Sequence, residues 1–481
     1  MSNKECVDEK TLSESTVFQP TYSFVHPHEW PRRKKWLYTA VVAYCDCLTF
    51  LVSMMLAPGV PQVLQTFRPH GGDEFLGSFC VTVYILGFCV GPLLLGPLTD
   101  LYGRTVMLRT CILFFLALTI ACALSTSLGM LIAFRFLAGI FGGAPMAIGG
   151  AAVADMYLSG ERGRPIAWYS YGTMLGPTLG PVLGGIINGT LGWRWIFWIA
   201  AILAGICAVG LFFILHETHL PTLVTRSRDY SSGTKVQRLL ARYIPKNAMG
   251  DNQSILSTLS RAVLLPVRLT FSHPSIAAIL LLILIFNGVV NIVLSSLGSV
   301  YQKNYHFSRT TAGLSYLGMG FGGLSALATA SRISDYLARC LNGQETPKQP
   351  EHHIPLIIVT LPVAMTGLLW YGWACKAHVH WFVPIMGLFL FGYAYMSIRL
   401  STQLFLVEAV PNYSASALAA HTVASSIGGA FIPLSAFPMY NSLGYGWGNT
   451  LIALLELSLL IIPLALFIST RRTGKHVRIH L

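Results

Sequence analysis

Gly96-Pro97-Leu98-Thr99-Asp100-Leu101-Tyr102-Gly103-Arg104 stands in a short polar gap between two apolar runs, about 75–95 and about 106–124. Gly96 and Gly103 let the backbone turn sharply. Asp100 and Arg104 are four apart, one near a helix end and one across the turn. Placed so, they can form ion pairs that hold helix bundles together. An ordinary charged loop between two apolar helices is the alternative reading of the stretch taken alone.

The surrounding chain points to a membrane. Of its 481 residues 54% are apolar and only 11% charged, with a mean hydropathy of +0.60. A soluble chain is nearer about 25% charged. The length suits many spans of about 20 residues. Twelve stretches qualify. Six lie at about 36–57, 75–98, 106–124, 128–152, 164–188 and 195–215, and six at about 274–300, 310–331, 354–374, 381–405, 415–437 and 449–469. Stretches eight, ten and eleven are the weakest, being rich in Gly and Ser. Apolar residues run all round each segment, as in lipid-facing and bundle-core helices.

Lys and Arg placement sets the expected orientation. With the N-terminus in the cytoplasm, 25 of the 32 basic residues fall on the cytoplasmic side. Arg68, Arg194, Lys303, Arg309 and Lys376 are outside, and Arg135 and Arg399 are within spans. The expectation is N-in and C-in. The net charge of +13 then reports orientation and attraction to lipid headgroups. Nucleic-acid binding, the rival for a basic chain, is not expected, because the charges are spread over separate loops.

Residues 1–35 are polar, end in Arg32-Arg33-Lys34-Lys35, and are expected to be a disordered cytoplasmic N-terminus without a cleavable signal. Residues 216–272 form a basic cytoplasmic connector, with Arg226, Arg228, Lys235, Arg238 and Arg242 suited to the inner leaflet through a short amphipathic helix. The organisation read is a six-helix bundle at 36–215, the central loop 216–272, a second bundle at 273–470, and a cytoplasmic tail, 471–481.

The ten cysteines have no metal spacing and read as small apolar fillers. His352-His353 reads as solvated surface rather than a metal site. Neither metal nor cofactor is expected. The layout invites a search for a repeat. Asp335 and Arg339 are four apart in the loop equivalent to that of Asp100 and Arg104, although Ser331 stands where Gly96 does.

The Gly96–Arg104 box, a Gly-x-Leu-x-Asp-x-x-Gly-Arg pattern, resembles the loop between spans 2 and 3 of major facilitator superfamily transporters. Gly172-Thr173-Met174-Leu175-Gly176-Pro177-Thr178-Leu179-Gly180-Pro181-Val182-Leu183-Gly184-Gly185 resembles the antiporter box of drug:proton exchangers. Its glycines at 172, 176, 180 and 184 share one helix face, which lets a neighbour approach closely. Pro177 and Pro181 remove two backbone donors and bend the helix. A generic packing seam is the plainer reading. Arg135-Phe136-Leu137-Ala138-Gly139 is similar to the family's Arg-x-x-x-Gly box, and Asp155-Met156-Tyr157 also fits. Phe405-Leu406-Val407-Glu408 and Ser416-Ala417-Leu418-Ala419-Ala420 resemble fungal drug:proton antiporters, as does the basic tail. Where many relatives have an Arg this chain has Ser425-Ser426, with His421 a turn earlier.

The resemblance spans about 36–478 and implies an all-α, twelve-helix major facilitator fold in two six-helix bundles. It implies an inner gate of Gly96, Asp100, Gly103, Arg104 and Asp155, with Asp335 and Arg339 in the second half. For Arg135 it implies proton coupling. An arginine at membrane depth is a functional candidate by itself, and a snorkelling helix-end Arg is the alternative. Asp46 lies about 15 Å deep in the first span at 1.5 Å per residue. It is expected either to face a polar cavity and carry a proton, or to be a hydrogen-bonded structural Asp. Glu408 and His421 are further proton-coupling candidates. Asn287 and Asn291, four apart on one face, and Arg399 are cavity candidates.

The function implied is proton-coupled export of amphipathic small organic molecules, such as a drug, toxin or secondary metabolite. It would proceed by alternating access in a monomer, in the plasma membrane or else a vacuolar or other internal membrane. Import of a sugar, polyamine or organic anion is the alternative. A non-transporting receptor would need neither the duplicated charges nor the glycine seams. No enzyme activity is expected, and no Gly-x-x-x-x-Gly-Lys-Ser/Thr phosphate loop supports ATP-driven pumping.

Overall fold

The apolar stretches are helices. The structure, a computed structural model, describes residues 27–67, 74–157, 161, 163–219, 222, 223, 264, 266–271, 273–342, 350–410 and 414–473. In chain order the first half holds α1 (Arg32–Met55), α2 (Val60–Phe67), α3 (Glu74–Tyr102), α4 (Arg104–Ala123), α5 (Leu128–Gly142), α6 (Ala144–Ala154), α7 (Gly163–Thr190) and α8 (Trp193–Ile214). The second holds α9 (Pro274–Tyr305), α10 (Arg309–Leu314), α11 (Tyr316–Asn342), α12 (Ile354–Lys376), α13 (Phe382–Ala409), α14 (Ser414–Phe431), α15 (Ala436–Ser458) and α16 (Ile461–Thr473). No strand occurs among the described residues.

Helices cover all twelve expected stretches. Nine segments among the described residues are long and apolar enough to cross a membrane by length and composition. The Gly-rich helices α7 and α11 are not among the nine, and the last two stretches fall in one segment, Ser416–Ser469. That segment is broken at Gly444, whose φ is +70°. The surface pattern fits lipid. On α8, Ile196, Phe197, Ala200, Ala204, Cys207 and Leu211 face inward, while Ile202, Ile206, Val209 and Phe213 are exposed. Both faces are apolar, and the small residues sit on the packed side.

Order begins before residue 36. A 3-10 turn covers Pro27–Glu29 and α1 starts at Arg32. The polar stretch is held because Trp30 packs against Tyr38 and His216, and Lys35 Nζ donates to the His28 carbonyl at 2.8 Å. Residues 1–26, the tail from 474 and most of the central connector, including its basic residues at 226–242, lie outside the described residues.

The two halves repeat one packing scheme. In the first, α1 packs on α7, α3 on α5, α4 on α8 and α4 on α5. In the second, α9 packs on α14, α11 on α13, α12 on α15 and α12 on α13. Stretch for stretch these are the same four pairings, shifted by six spans. The halves meet where α3 touches α14, and where α7 touches α10 and α11.

The pair α1 with α7 is close-packed along its length. A Cβ on Gly172 would lie 2.5 Å from the Ala43 carbonyl oxygen, one on Gly176 2.6 Å from that of Cys47, and one on Gly180 2.5 Å from that of Leu51. One on Gly184 would strike the Met55 carbonyl oxygen. Both partners advance by four residues at each step, so the glycine face lies along a row of α1 carbonyls. Gly185, the last residue of the box, is also buried. A backbone oxygen cannot swing aside as a side chain can, so added atoms must push the helices apart. Overpacking of this kind costs ~1–3 kcal/mol.

Gly176→Ala is therefore expected to lower the melting temperature of the solubilised protein, and Gly176→Leu to remove most of the folded protein from the membrane. Gly205→Ala is the control, because nothing lies within 4 Å of its added Cβ. Equal melting temperatures for Gly176→Ala and Gly205→Ala would refute the seam.

Candidate functional site

A cavity of about 850 Å³, part of it open to the outside, lies between the halves. Each half supplies wall from several helices. α1 brings Phe50, Ser53 and Met54; α3 brings Ile85 and Phe88; α7 brings Thr173, Met174, Pro177 and Thr178. From the second half come Asn287, Val290, Asn291 and Leu294 of α9, Tyr395, Met396 and Arg399 of α13, and Thr422, Ser425 and Ser426 of α14. Aromatic and Met side chains share the wall with polar groups from both halves, most of them from the second. Such walls bind apolar skeletons and re-pack readily.

The polar side is a connected chain. Arg399 Nη1 donates to Tyr395 Oη at 2.9 Å, and that hydroxyl donates to Asn287 Oδ1 at 3.3 Å. Asn287 Nδ2 donates to the Ser425 carbonyl at 2.7 Å, and Asn291 Nδ2 to the Asn287 carbonyl at 2.8 Å. The three cavity candidates of the sequence thus lie together. Tyr395 links them and was missed, since its position four before Arg399 on α13 is meaningful only once both are known to face the cavity.

Asp46 is wholly buried and does not line the cavity in this structure. Its Oδ2 accepts a hydrogen bond of 2.6 Å from Thr173 Oγ1, and its Oδ1 has no hydrogen-bond partner among the described residues. Thr173 does line the cavity, so one hydroxyl separates the carboxyl from it. The α1–α7 seam fixes this contact, because Thr173 follows Gly172 in the seam.

Arg135 is also buried, so it does not snorkel. Its Nη2 donates to the carbonyls of Ser53 at 3.0 Å and Val81 at 3.4 Å. The guanidinium lies 5.2 Å from the Tyr84 ring centre and 5.9 Å from that of Phe197. It thereby ties α5 to α1 and α3, next to cavity residue Ser53. His421 Nε2 is 3.1 Å from Thr402 Oγ1, and the ring is buried behind the wall formed by Thr422 and Ser425. Glu456 is buried in α15, away from the cavity lining.

At the end of the bundle where α3 gives way to α4, a second cluster forms. Arg104 Nε donates to Asp155 Oδ2 at 3.3 Å, and its Nη1 to Thr99 Oγ1 at 3.0 Å. Gly103 has φ +95°, a conformation that L side chains rarely adopt. As the cap of α4 it offers no side-chain acceptor for the first amides of that helix. Glu217 supplies one from beyond α8. Its Oε1 accepts from the Arg104 amide at 2.9 Å and its Oε2 from the Thr105 amide at 3.3 Å. A Cβ on Gly103 would strike the same carboxylate. Sequence reading missed Glu217. The available signal was a glycine cap with no acceptor of its own. The Gly96 carbonyl accepts from Thr99 Oγ1 at 2.7 Å, and a Cβ on Gly96 meets nothing within 4 Å. The side chains of Asp100, Asp335 and Arg339 lie outside the described residues.

The second half has a corresponding pair, at residues the sequence reading put elsewhere. His353 Nε2 lies 3.4 Å from Glu408 Oε2. His353 caps α12 and Glu408 sits in the last turn of α13, as Arg104 heads α4 and Asp155 caps α6. The expectation of a solvated His353 is corrected, since the ring is mostly covered by its packing on Glu408. Glu408 belongs to this helix-end pair and does not line the cavity.

Comparison with known proteins agrees with the fold. The family model for the Major Facilitator Superfamily matches residues 42–433. The efflux pump radE of Floropilus chiversii is 40% identical over 459 residues, 94% of this chain and 83% of that one. The MFS transporter cpaT of Aspergillus oryzae is 36% identical over 462 residues, 94% and 90% of the two chains. The MFS-type transporter tndD of Aspergillus flavipes is 37% identical over 462 residues, 94% and 83%. Among solved structures, a D-xylose-proton symporter superposes with a TM-score of 0.66 at 19% identity, over 87% of this chain and 96% of that one. The chain belongs to the Major Facilitator Superfamily, and it is a multi-pass membrane transporter of small molecules rather than an enzyme.

Proposed function

We propose that this protein exports amphipathic small organic molecules in exchange for protons. It works as a monomer of twelve spans with both termini in the cytoplasm. Two bundles, 36–215 and 273–470, rock about the central cavity by alternating access, joined by the connector 216–272. The plasma membrane is its expected site.

The observation that carries this reading is the cavity itself. It is shared by two halves of repeated packing, and aromatic and Met side chains stand in its wall beside polar groups. Export is favoured by the glycine box of α7, and a relative at 40% identity is named an efflux pump. Proton coupling is favoured by Asp46, one hydroxyl away from the cavity. When cargo leaves, Thr173 can turn and give the carboxyl access to water. Arg135 holds the α1 backbone at Ser53 and so couples the depth of the bundle to that movement.

The inner gate in this reading joins Gly96, Asp100, Gly103, Arg104, Asp155 and Glu217 in the first half. His353 and Glu408 are its counterpart in the second, with Asp335 and Arg339 on the neighbouring helix α11. The Arg104 and Asp155 side chains are 16% and 30% exposed. Such a pair is worth only about 0–1 kcal/mol of stability. Its role is in the balance between states.

Two outcomes test the proposal. Cells lacking their own exporters, loaded with lipophilic fluorescent compounds, should accumulate less of at least one when the chain is expressed. A protonophore should abolish that difference, and Asp46→Asn should do so at equal membrane abundance. Efflux that survives the protonophore and tracks ATP would exclude proton exchange, and accumulation of a sugar or polyamine driven by the proton gradient would make the chain an importer.

Asp155→Asn should cut efflux severely, with a melting temperature close to that of the unaltered protein. Glu217→Ala should both cut efflux and lower the melting temperature, because it leaves two amides of α4 without their acceptor. Normal efflux by both variants would remove the gate.

A further inference from the structure

Arg399 is the only charged residue among the described residues lining the cavity. It is half-buried, and its position is set by the chain through Tyr395 Oη to Asn287 and on to the Ser425 carbonyl. The Tyr395 ring is stacked on Phe286, with centroids 6.3 Å apart, which fixes the hydroxyl end of that chain. A guanidinium has five N–H donors in a planar fork. One is given to Tyr395, and Arg399 has no carboxylate partner among the described residues.

The acid nearest in role, Asp46, belongs to the opposite half and is buried behind Thr173. His421, behind the same wall, is held by Thr402. The rest of the wall carries no charge; its apolar part is above all Phe50, Phe88, Met146, Met174, Met319 and Met396, interspersed with hydroxyl side chains and Asn291.

The geometry points to an organic anion as the cargo: a drug-sized apolar skeleton bearing one acidic group, docked on the free donors of Arg399 beside Tyr395 and Asn287. This deepens the exporter reading and rests on the cavity being its cargo site. The physical reason lies in closure. Transport requires the halves to shut around the cargo and expel water. A neutral cargo would leave the guanidinium dehydrated and uncompensated, and a cationic one would add repulsion in a low dielectric. A carboxylate, or an acidic enol or phenol, restores the lost hydration with charge-assisted hydrogen bonds. The skeleton then lies against the aromatic and Met wall, and the acid's place on the α9–α13 side fixes its orientation. Lys at this position would keep the charge but lose the planar fork.

The test compares three probes sharing one skeleton: 1-pyrenebutyrate, its methyl ester, and 4-(1-pyrenyl)butylamine. Each is titrated onto the purified full chain in nanodiscs, with empty nanodiscs as the blank. The carboxylate should bind at least roughly tenfold more tightly than the ester, and the amine most weakly. Arg399→Gln should bring the carboxylate down to the level of the ester, Arg399→Lys should retain part of the preference, and Tyr395→Phe should weaken the carboxylate alone. An ester bound as tightly as the acid, a preference for the amine, failure of all three to bind, or a preference that survives Arg399→Gln would overturn the inference. If Arg399→Gln does not fold, the ranking of the three probes on the unaltered chain still decides. Efflux measurements separate the two readings. Arg399-dependent binding of pyrenebutyrate, with cells taking it up rather than expelling it, would end the export reading and leave the anion site standing. Expulsion of the ester and the amine regardless of Arg399 would end the anion site and leave export standing.

Discussion

The contact on which the rest of the first half depends is backbone on backbone, between α7 and α1. Gly172, Gly176, Gly180 and Gly184 lie over the carbonyls of Ala43, Cys47, Leu51 and Met55. No side chain of these four residues separates the helices, so α1 and α7 have no room to slide closer along this face. The opposite face of α7 meets the second half in another way. Thr178 lies at Gly320, Met174 at Gly323, and the backbone at Pro181 and Val182 lies over Gly313. There the glycines are on α10 and α11, and the side chains are on α7. Two of these three contacts are made by side chains of α7, whereas all four on its other face are made by the α1 backbone. A helix held this way suits the two-bundle movement proposed above, staying with its own half while it slides against the next.

Much of this was legible in the sequence, for one reason. Helical spans, the glycine seam and the 96–104 box are local patterns, and their spacing is their meaning. Helices cover the twelve stretches, and the nine segments among the described residues that are long and apolar enough to cross a membrane can satisfy their own backbone in lipid. Residues that close a contact over a long separation were not legible. Glu217 reaches the amide of Arg104 across 113 positions, and Thr173 reaches Asp46 across 127. Nothing near Asp46 names Thr173 as its partner. Asp335 and Arg339 were sought as the repeat of Asp100 and Arg104 by matching spacing in the loops. The pair that repeats Arg104 and Asp155 is His353 with Glu408, and it is recognisable only by place: the head of one helix against the tail of the next.

Arg135, Asp46 and Arg399 are held at depth in different ways, and the differences follow from position. Arg135 is enclosed by carbonyls and rings of a single half, which stay together if that half is rigid. Its surroundings then change little between states, and it suits a structural duty. Asp46 also lies inside the first half, but its one hydrogen bond comes from a side chain that faces the cavity. Rotation of Thr173 alone alters its access. Arg399 stands in the cavity wall of the other half. In the alternating access proposed above, its hydration would be remade at each change of state, and a charge whose free energy differs between the open and the closed cavity can discriminate between cargo and water. The carboxyl and the guanidinium are on opposite bundles, one behind the cavity wall and one in it. In the proposed exchange, whatever fills that space would act on both charges at once, giving cargo and proton a common place to compete without a direct bond between them.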